Sequence, residues 1–204
     1  MLLIKIKPVI LVGGKSSRFG RDKVFLELND LLILKRTYDL LEKVFDSNPL
    51  LVGRNEPVFN YRTIPDEIEG IGPIAGLYTS LKNVECSFIF LIACDMPFLK
   101  ESLIRYMILN LDKTLDILMP RYNNNMIEPL FSIYSKNVLK YIETNIKLGK
   151  YGFHFLLNYD RELKIKFVNE NDLKKIDPKL LTFFNINTKS DFEKAEEFLK
   201  YEKN

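Results

Sequence analysis

Phe88-Ile89-Phe90-Leu91-Ile92-Ala93, followed without a break by Cys94-Asp95-Met96-Pro97, is the stretch on which the fold turns. An uninterrupted apolar run of this length fits a central parallel strand buried on both faces. Asp95 then stands at the carboxyl end of that strand, where open α/β sheets place their ligand crevice. Upstream, residues 4–12 form a second apolar, β-branched run that breaks into Gly13-Gly14. Pro8 lies inside it and has no N–H to give, so it belongs near the strand's start or at an edge. Between the two strands, Ile33–Phe45 carries apolar residues at helical spacing. Residues 50–53 and 61–64 read as short strands, 70–76 as a glycine-rich turn, and 77–81 as the body of the next helix.

Beyond the central run, residues 99–109 predict a helix and 115–119 a strand. This alternation of strand, loop and helix is the α/β signature, a mostly parallel sheet covered by helices. After Pro120 the pattern loosens. Residues 121–125 read as a polar, mobile stretch, 129–134 as a strand with Glu128 before it, and 135–144 as a helix. Residues 164–168 alternate like a strand with one wet face, and 170–179 read as a polar connector. Residues 190–202 predict a last helix with a capping box from Ser190 to Glu193, although Thr188 is an equally suitable cap. There is no internal repeat and no linker, so residues 1–204 are expected to form one domain.

Composition sets limits. The 204 residues are 47% hydrophobic and 28% charged, which is ordinary for a globular protein and too apolar for a disordered one. Lys and Arg number 30 against 27 Asp and Glu, a formal charge of +3 with no basic run, so no nucleic-acid partner is expected. Cys86 and Cys94 are too few for a disulfide framework. No segment approaches the length of an apolar spanning helix, and the apolar start lacks the layout of a secretory signal. No membrane contact and a cytoplasmic location are expected.

Four stretches could carry chemistry. Gly13-Gly14-Lys15-Ser16-Ser17-Arg18-Phe19-Gly20-Arg21-Asp22-Lys23 follows a strand directly. Paired glycines let backbone N–H groups approach an anion, and Arg18, Arg21 and Lys23 supply cations that a polyphosphate needs. A plain surface turn with solvated charges is the other reading. The spacing matches neither the Walker loop nor the dinucleotide fingerprint. Asp95 could hold Mg²⁺ against phosphate oxygens, or merely cap the next helix. Cys94 is read as a packed small residue and His154, between Phe153 and Phe155, as structural. Asp66 with Gly70, Gly72 and Gly76 suits contact with a nucleoside, or is an ordinary glycine turn. Asn185 and Asn187 alternate and so share a face if extended, whereas Asp191 is either a cap partner or a second carboxylate near the metal.

Taken in order, the glycine-rich stretch from Leu11 to Lys23, Gly72-Pro73-Ile74-Ala75-Gly76, Cys94-Asp95-Met96-Pro97-Phe98, Glu128-Pro129-Leu130-Phe131-Ser132-Ile133-Tyr134 and Asn185-Ile186-Asn187-Thr188 resemble the molybdenum cofactor guanylyltransferase family. The resemblance runs from about Leu3 to Phe198. It implies a Rossmann-like three-layer α/β/α nucleotidyltransferase fold. It also implies transfer of GMP from GTP to molybdopterin, with Mg²⁺ as cofactor and pyrophosphate released. By position, it places Leu11, Val12, Gly13 and Gly14 along the guanine pocket, Arg18 and Lys23 at the triphosphate, and Asp66 on the nucleoside side. Asp95 falls on the Mg²⁺ ligand, and Asn185 and Asn187 on positions near the pterin. Arg18, Lys23 and Asp95 are then the catalytic set. Proteins that deliver or insert the cofactor would be transient partners. The chain departs from the family at Val12, Phe19 and Lys189, and at Gly53, where some members carry an asparagine that helps read guanine; Asn55 lies two positions on. Rival readings are a cytidylyltransferase for the same cofactor, a sugar-phosphate nucleotidylyltransferase, or a non-catalytic carrier of nucleotide or pterin.

Overall fold

The computed structural model describes residues 4–13, 22–29 and 31–201. In chain order its strands are β1 (Ile6–Leu11), β2 (Glu27–Leu28), β3 (Leu31–Leu32), β4 (Leu50–Val52), β5 (Thr63–Ile64), β6 (Phe88–Ala93), β7 (Ile117–Tyr122), β8 (Met126–Ile127), β9 (Phe131–Ser135) and β10 (Ile165–Asn169). The α-helices are α1 (Ile33–Phe45), α2 (Pro73–Asn83), α3 (Glu101–Leu109), α4 (Leu139–Lys147), α5 (Glu170–Ile176) and α6 (Lys189–Tyr201). The main sheet runs β10-β7-β9-β6-β1-β4-β5, with β8 paired to β7, while β2 and β3 form a separate hairpin. β1 is parallel to β6 and to β4, β4 to β5, and β10 to β7. Only β9 and β8 run the other way. The sheet is thus mostly parallel, as expected, with one antiparallel strand set between β6 and β7.

Alternation along the strands splits the core into two layers. Ile10, Phe90, Ile92 and Leu118 pack with Leu34, Tyr38 and Leu41 of α1 and Ile104 and Met107 of α3. Val9, Leu11, Ile89, Leu91 and Met119 face Ile74, Leu77 and Leu81 of α2 and Ile142 of α4. Every residue of β6 is buried, which is what its continuous apolar run demands. A smaller cluster of Leu26, Leu28, Phe98, Ile186 and Ala195 seats α6 against the β2–β3 hairpin.

Several expectations need correction. Pro8 lies within β1, an internal strand, opposite Phe90 of β6. Its missing N–H nevertheless costs no rung. Val12 N–H points to β4, so Pro8, of the same parity, faces that side too, and β4 pairs only from Val9 onward. α2 begins at Pro73, not at Leu77, because proline at the first helical turn forfeits only an N–H that has no intrahelical partner. Residues 121–125, expected to be a mobile stretch, form the end of β7 and a tight return to β8. Asn123, Asn124 and Asn125 all adopt positive φ there (41°, 57° and 70°), a conformation asparagine tolerates better than most residues. The expected polar connector contains α5, a helix with Leu173 fully buried and Lys174–Glu170 and Lys175–Asp172 pairs on its exposed side. The expected helix over 135–144 is shifted, since Ser135 still belongs to β9 and α4 runs on to Lys147.

Candidate active site at the carboxyl edge of the sheet

Because β1, β4, β5 and β6 are parallel, the residues that follow them emerge at one edge. These are Val12-Gly13, Gly53-Arg54, Pro65-Asp66 and Cys94-Asp95. β9 runs the opposite way, so Glu128, just before its start, joins the same edge. Leu11 is buried and presses against Gly76 of α2, where a Cβ would stand 2.5 Å from Leu11 Cδ2. Gly13 and Gly53 meet backbone to backbone. A Cβ on Gly53 would lie 2.6 Å from Gly13 N, and one on Gly13 would lie 2.9 Å from Gly53 O. Gly53 also takes φ +113°, so glycine is required there twice over.

Lys23 sits on a 3-10 turn (Lys23–Phe25) capped by Asp22, whose Oδ1 accepts from Val24 N at 3.3 Å. Its Nζ donates to Asp95 Oδ2 at 2.6 Å and to Asn187 Oδ1 at 2.7 Å. One ammonium thus joins three segments far apart in the chain. Its side chain is 21% exposed and that of Asp95 is 15% exposed, so the pair is screened by solvent only in part. The segment around Asn187 is held beside Asp95 by the Ile186 N–H, which donates to Asp95 O at 3.0 Å while Ile186 is fully buried. Asn185 Oδ1 is buried with no hydrogen-bond partner among the described residues.

Asp191 does not stand as a second metal carboxylate. Its Oδ2 accepts from Thr188 N at 2.8 Å, Thr188 Oγ1 at 2.9 Å and Asn187 N at 3.1 Å, while Thr188 Oγ1 accepts from Asp191 N at 3.2 Å. This is a capping box from Thr188 to Asp191, two residues ahead of the expected Ser190–Glu193 box. Burial opposes the Asp191 charge, but the Thr188 and Asn187 donors outweigh it and hold its carboxyl below the usual range.

Asp66 also lies near Gly53, with Oδ2 3.7 Å from where a Gly53 Cβ would be. Its Oδ1 is buried and lacks a partner among the described residues. Burial, with Glu69 adding to it, pushes this carboxyl above the usual range. An under-satisfied carboxylate beside half-buried glycine backbone suits a ligand that brings hydrogen-bond donors, as a purine edge or a ribose does. Cys94 is buried, and burial next to Asp95 pushes its thiol up to about 12, so it is no nucleophile. His154 is exposed and lies tilted against Phe155, far along the chain from this edge.

Gly14 and Arg18 fall outside the described residues. The structure brings Gly13, Lys23, Asp95 and Asn187 together, sets Asp66 near Gly53, and places Asn185 next to the Asp95 anchor. Two residues without a role assigned from the sequence also reach this edge. Arg54 donates from Nε to Val12 O at 3.0 Å and pairs through Nη2 with Asp22. Glu128 is buried, with Oε2 accepting from Tyr122 OH at 3.2 Å and Oε1 from Leu130 N at 3.3 Å. Burial raises the Glu128 carboxyl, and the Asp95 charge adds to the rise. Arg54 was signalled only by its place just past β4, and Glu128 by its place ahead of β9 and by opening the Glu128–Tyr134 motif.

Among the described residues no group of three or more His, Cys, Asp or Glu could by itself cage a metal. Mg²⁺ in phosphoryl chemistry needs no cage, since one or two carboxylates, substrate oxygens and water complete its shell. Asp95 brings one carboxylate to this edge, its Oδ2 already accepting from Lys23 Nζ. No helix of the described residues is long and apolar enough to cross a membrane.

Comparison with known proteins adds the family. A model described as the MobA-like NTP transferase domain matches residues 8–163. The molybdenum cofactor guanylyltransferase of Desulfosudis oleivorans is 32% identical over 200 residues, covering 96% of each chain. That of Syntrophotalea carbinolica is 33% identical, covering 91% of this chain and 88% of its own. Among solved structures, the molybdopterin-guanine dinucleotide biosynthesis protein A of Archaeoglobus fulgidus superposes with a TM-score of 0.78 at 26% identity, covering 96% of this chain and all of the other. The match spans the strands and loops that build the edge described above, and the chain belongs to the MobA-like NTP transferase domain family.

Proposed function

We infer that the protein is a molybdenum cofactor guanylyltransferase, an enzyme that transfers GMP from GTP to molybdopterin and releases pyrophosphate. Near-full-length similarity to proteins of that name supports the reaction. Residues 1–204 act as one nucleotidyltransferase domain, since β10, α5 and α6, beyond or at the limit of the family match, pack into the same core or against the site. The single observation that carries the site assignment is Lys23 bridging Asp95 and Asn187 at the carboxyl edge of the parallel strands.

The chemistry joins two anions. A phosphate oxygen of molybdopterin attacks the α-phosphorus of GTP and pyrophosphate leaves. The barrier is partly charge repulsion, so positioning and charge compensation matter more than a covalent nucleophile. Lys23, with Arg18, neutralises charge growing on the phosphates. Gly13 and Gly14 bring main-chain N–H groups to them, and the Leu11–Gly14 backbone with Asp66 receives the guanosine. Asn185 and Asn187 face the pterin. Asp95 would hold Mg²⁺, which supplies compensating charge on phosphate oxygens when bound. Asp95 also keeps the Lys23 ammonium at the site. The cytoplasm is where this reading puts the protein, with proteins that deliver or insert the cofactor as transient partners.

A nucleotide panel tests the assignment. With molybdopterin and Mg²⁺ supplied, GTP is expected to give the fastest transfer. Faster transfer from CTP would reject the guanine assignment.

A further inference from the structure

Val12 stands just past β1 and Asp22 caps the Lys23–Phe25 turn, and one side chain touches both. Val12 N donates to Val52 O at 2.8 Å, so the next rung of the parallel β1–β4 ladder should run from Arg54 N to Val12 O. That rung is absent. Gly53, at φ +113°, turns the chain, and the N–H groups of Gly53 and Arg54 donate instead to Ile64 O at 2.7 and 3.4 Å. The Arg54 side chain fills the place of its own main-chain N–H. Its Nε donates to Val12 O at 3.0 Å, and Nη2 reaches on to the Asp22 carboxylate. Asp22 in turn caps the turn that carries Lys23.

We propose that Arg54 is a positioning residue that ties Val12, at the exit of β1, to Asp22 and so holds in place the turn carrying Lys23, the cation assigned to the nucleotide's triphosphate. This rests on the nucleotide-transfer reading above. A guanidinium is suited to the task because its planar fork serves two acceptors in fixed directions. A lysine, as a point charge on a flexible stem, can keep one of them at a time. The turn at Gly53 sends the Arg54 main-chain N–H to Ile64 O and leaves Val12 O to the Arg54 side chain.

The test compares the unaltered chain with Arg54→Ala and Arg54→Lys. Hydrogen exchange at the Val24 amide, measured without ligand, reports the tie itself. Steady-state transfer assays report its use. Loss of a charge-assisted hydrogen bond is expected to speed Val24 exchange about tenfold in Arg54→Ala and raise the KM for GTP about tenfold. The KM for molybdopterin and kcat are expected to stay within about twofold, and Arg54→Lys to recover part of the GTP effect. A merely structural role would lower the folded fraction and shift both substrates alike. Unchanged Val24 exchange, an unchanged KM for GTP, or parallel rises in both KM values would overturn the proposal. If the unaltered chain transfers no GMP, the functional reading fails instead. Exchange at Val24 then judges the tie alone, an unchanged rate sinking it.

Discussion

Replacing Gly53 by alanine puts a methyl group where two backbones already touch. The new Cβ would sit 2.6 Å from Gly13 N and 2.7 Å from Gly13 Cα, and both of these atoms are main chain that cannot rotate aside. The residue must also hold φ +113°, which costs an L-residue about 1–2 kcal/mol. Overpacking against a fixed neighbour adds about 1–3 kcal/mol. The expected loss is therefore about 2–5 kcal/mol, or roughly 5–15 °C in Tm for a chain of this size. Gly149→Ala is the control. Gly149 also has positive φ, at +68°, but nothing lies within 4 Å of its Cβ position, so only the strain of about 1 kcal/mol remains. Urea melts of the two variants, with the KM for GTP measured alongside, make the comparison. Gly53→Ala should be the less stable by at least about 1 kcal/mol and should weaken GTP use, because the contact fixes Gly13 and Gly53 at the edge where the proposed nucleotide site lies. Equal stability of the two variants would refute the backbone contact between the exits of β1 and β4.

Other expectations follow from single groups. Asp191→Ala removes the box at the start of α6 and should cost about 1 kcal/mol near neutral pH. Because the folded carboxyl lies below its ordinary range, that advantage is present above the ordinary carboxylate pKa and fades as pH falls through the folded value, so melts of the two proteins should converge in acid. Glu128 has the opposite sign. Its folded carboxyl is raised, so the native state holds the proton longer and stability declines as pH climbs from the ordinary carboxylate range through the folded value. Glu128→Gln should flatten that decline in a Tm-against-pH series, and an unaltered slope would contradict the burial argument. Thiol labelling of the native protein at pH 8 should modify Cys86, which is half-buried, and spare Cys94 until the chain is unfolded; rapid loss of both thiols would show that Cys94 is accessible.

The central strand and its carboxylate were legible because their signals are local. An apolar run bounded by Asp95 can satisfy itself only as a strand covered on both sides, and β6 is that strand. Lys23 and Asn187 were legible as chemical types, but their meeting at Asp95 depends on 72 and 164 residues of intervening fold. Residues 170–176 escaped because a helix anchored by Leu173 with half-buried Ile176 offers little periodicity, and tertiary packing supplies its stability. The Asn123–Asn125 turn was hidden for another reason, since three asparagines read as polar coil unless their tolerance of positive φ is given weight. At the start of α6 two residues, Thr188 and Ser190, could cap, and it is Thr188 that pairs with Asp191. Arg54 was invisible because its role depends on a missing ladder rung, which exists only once β4 and β5 are paired.

The central claim is that charge held at the end of β6, by Asp95 with Lys23, drives GMP transfer. The most direct measurement is pyrophosphate release from GTP with molybdopterin and Mg²⁺, made on the unaltered chain and on Asp95→Asn. The unaltered chain should release pyrophosphate only when molybdopterin is present. Asp95→Asn should lose at least about a hundredfold in rate while melting within a few degrees of the parent. Release from Asp95→Asn at the parental rate, with the fold intact, would contradict the claim.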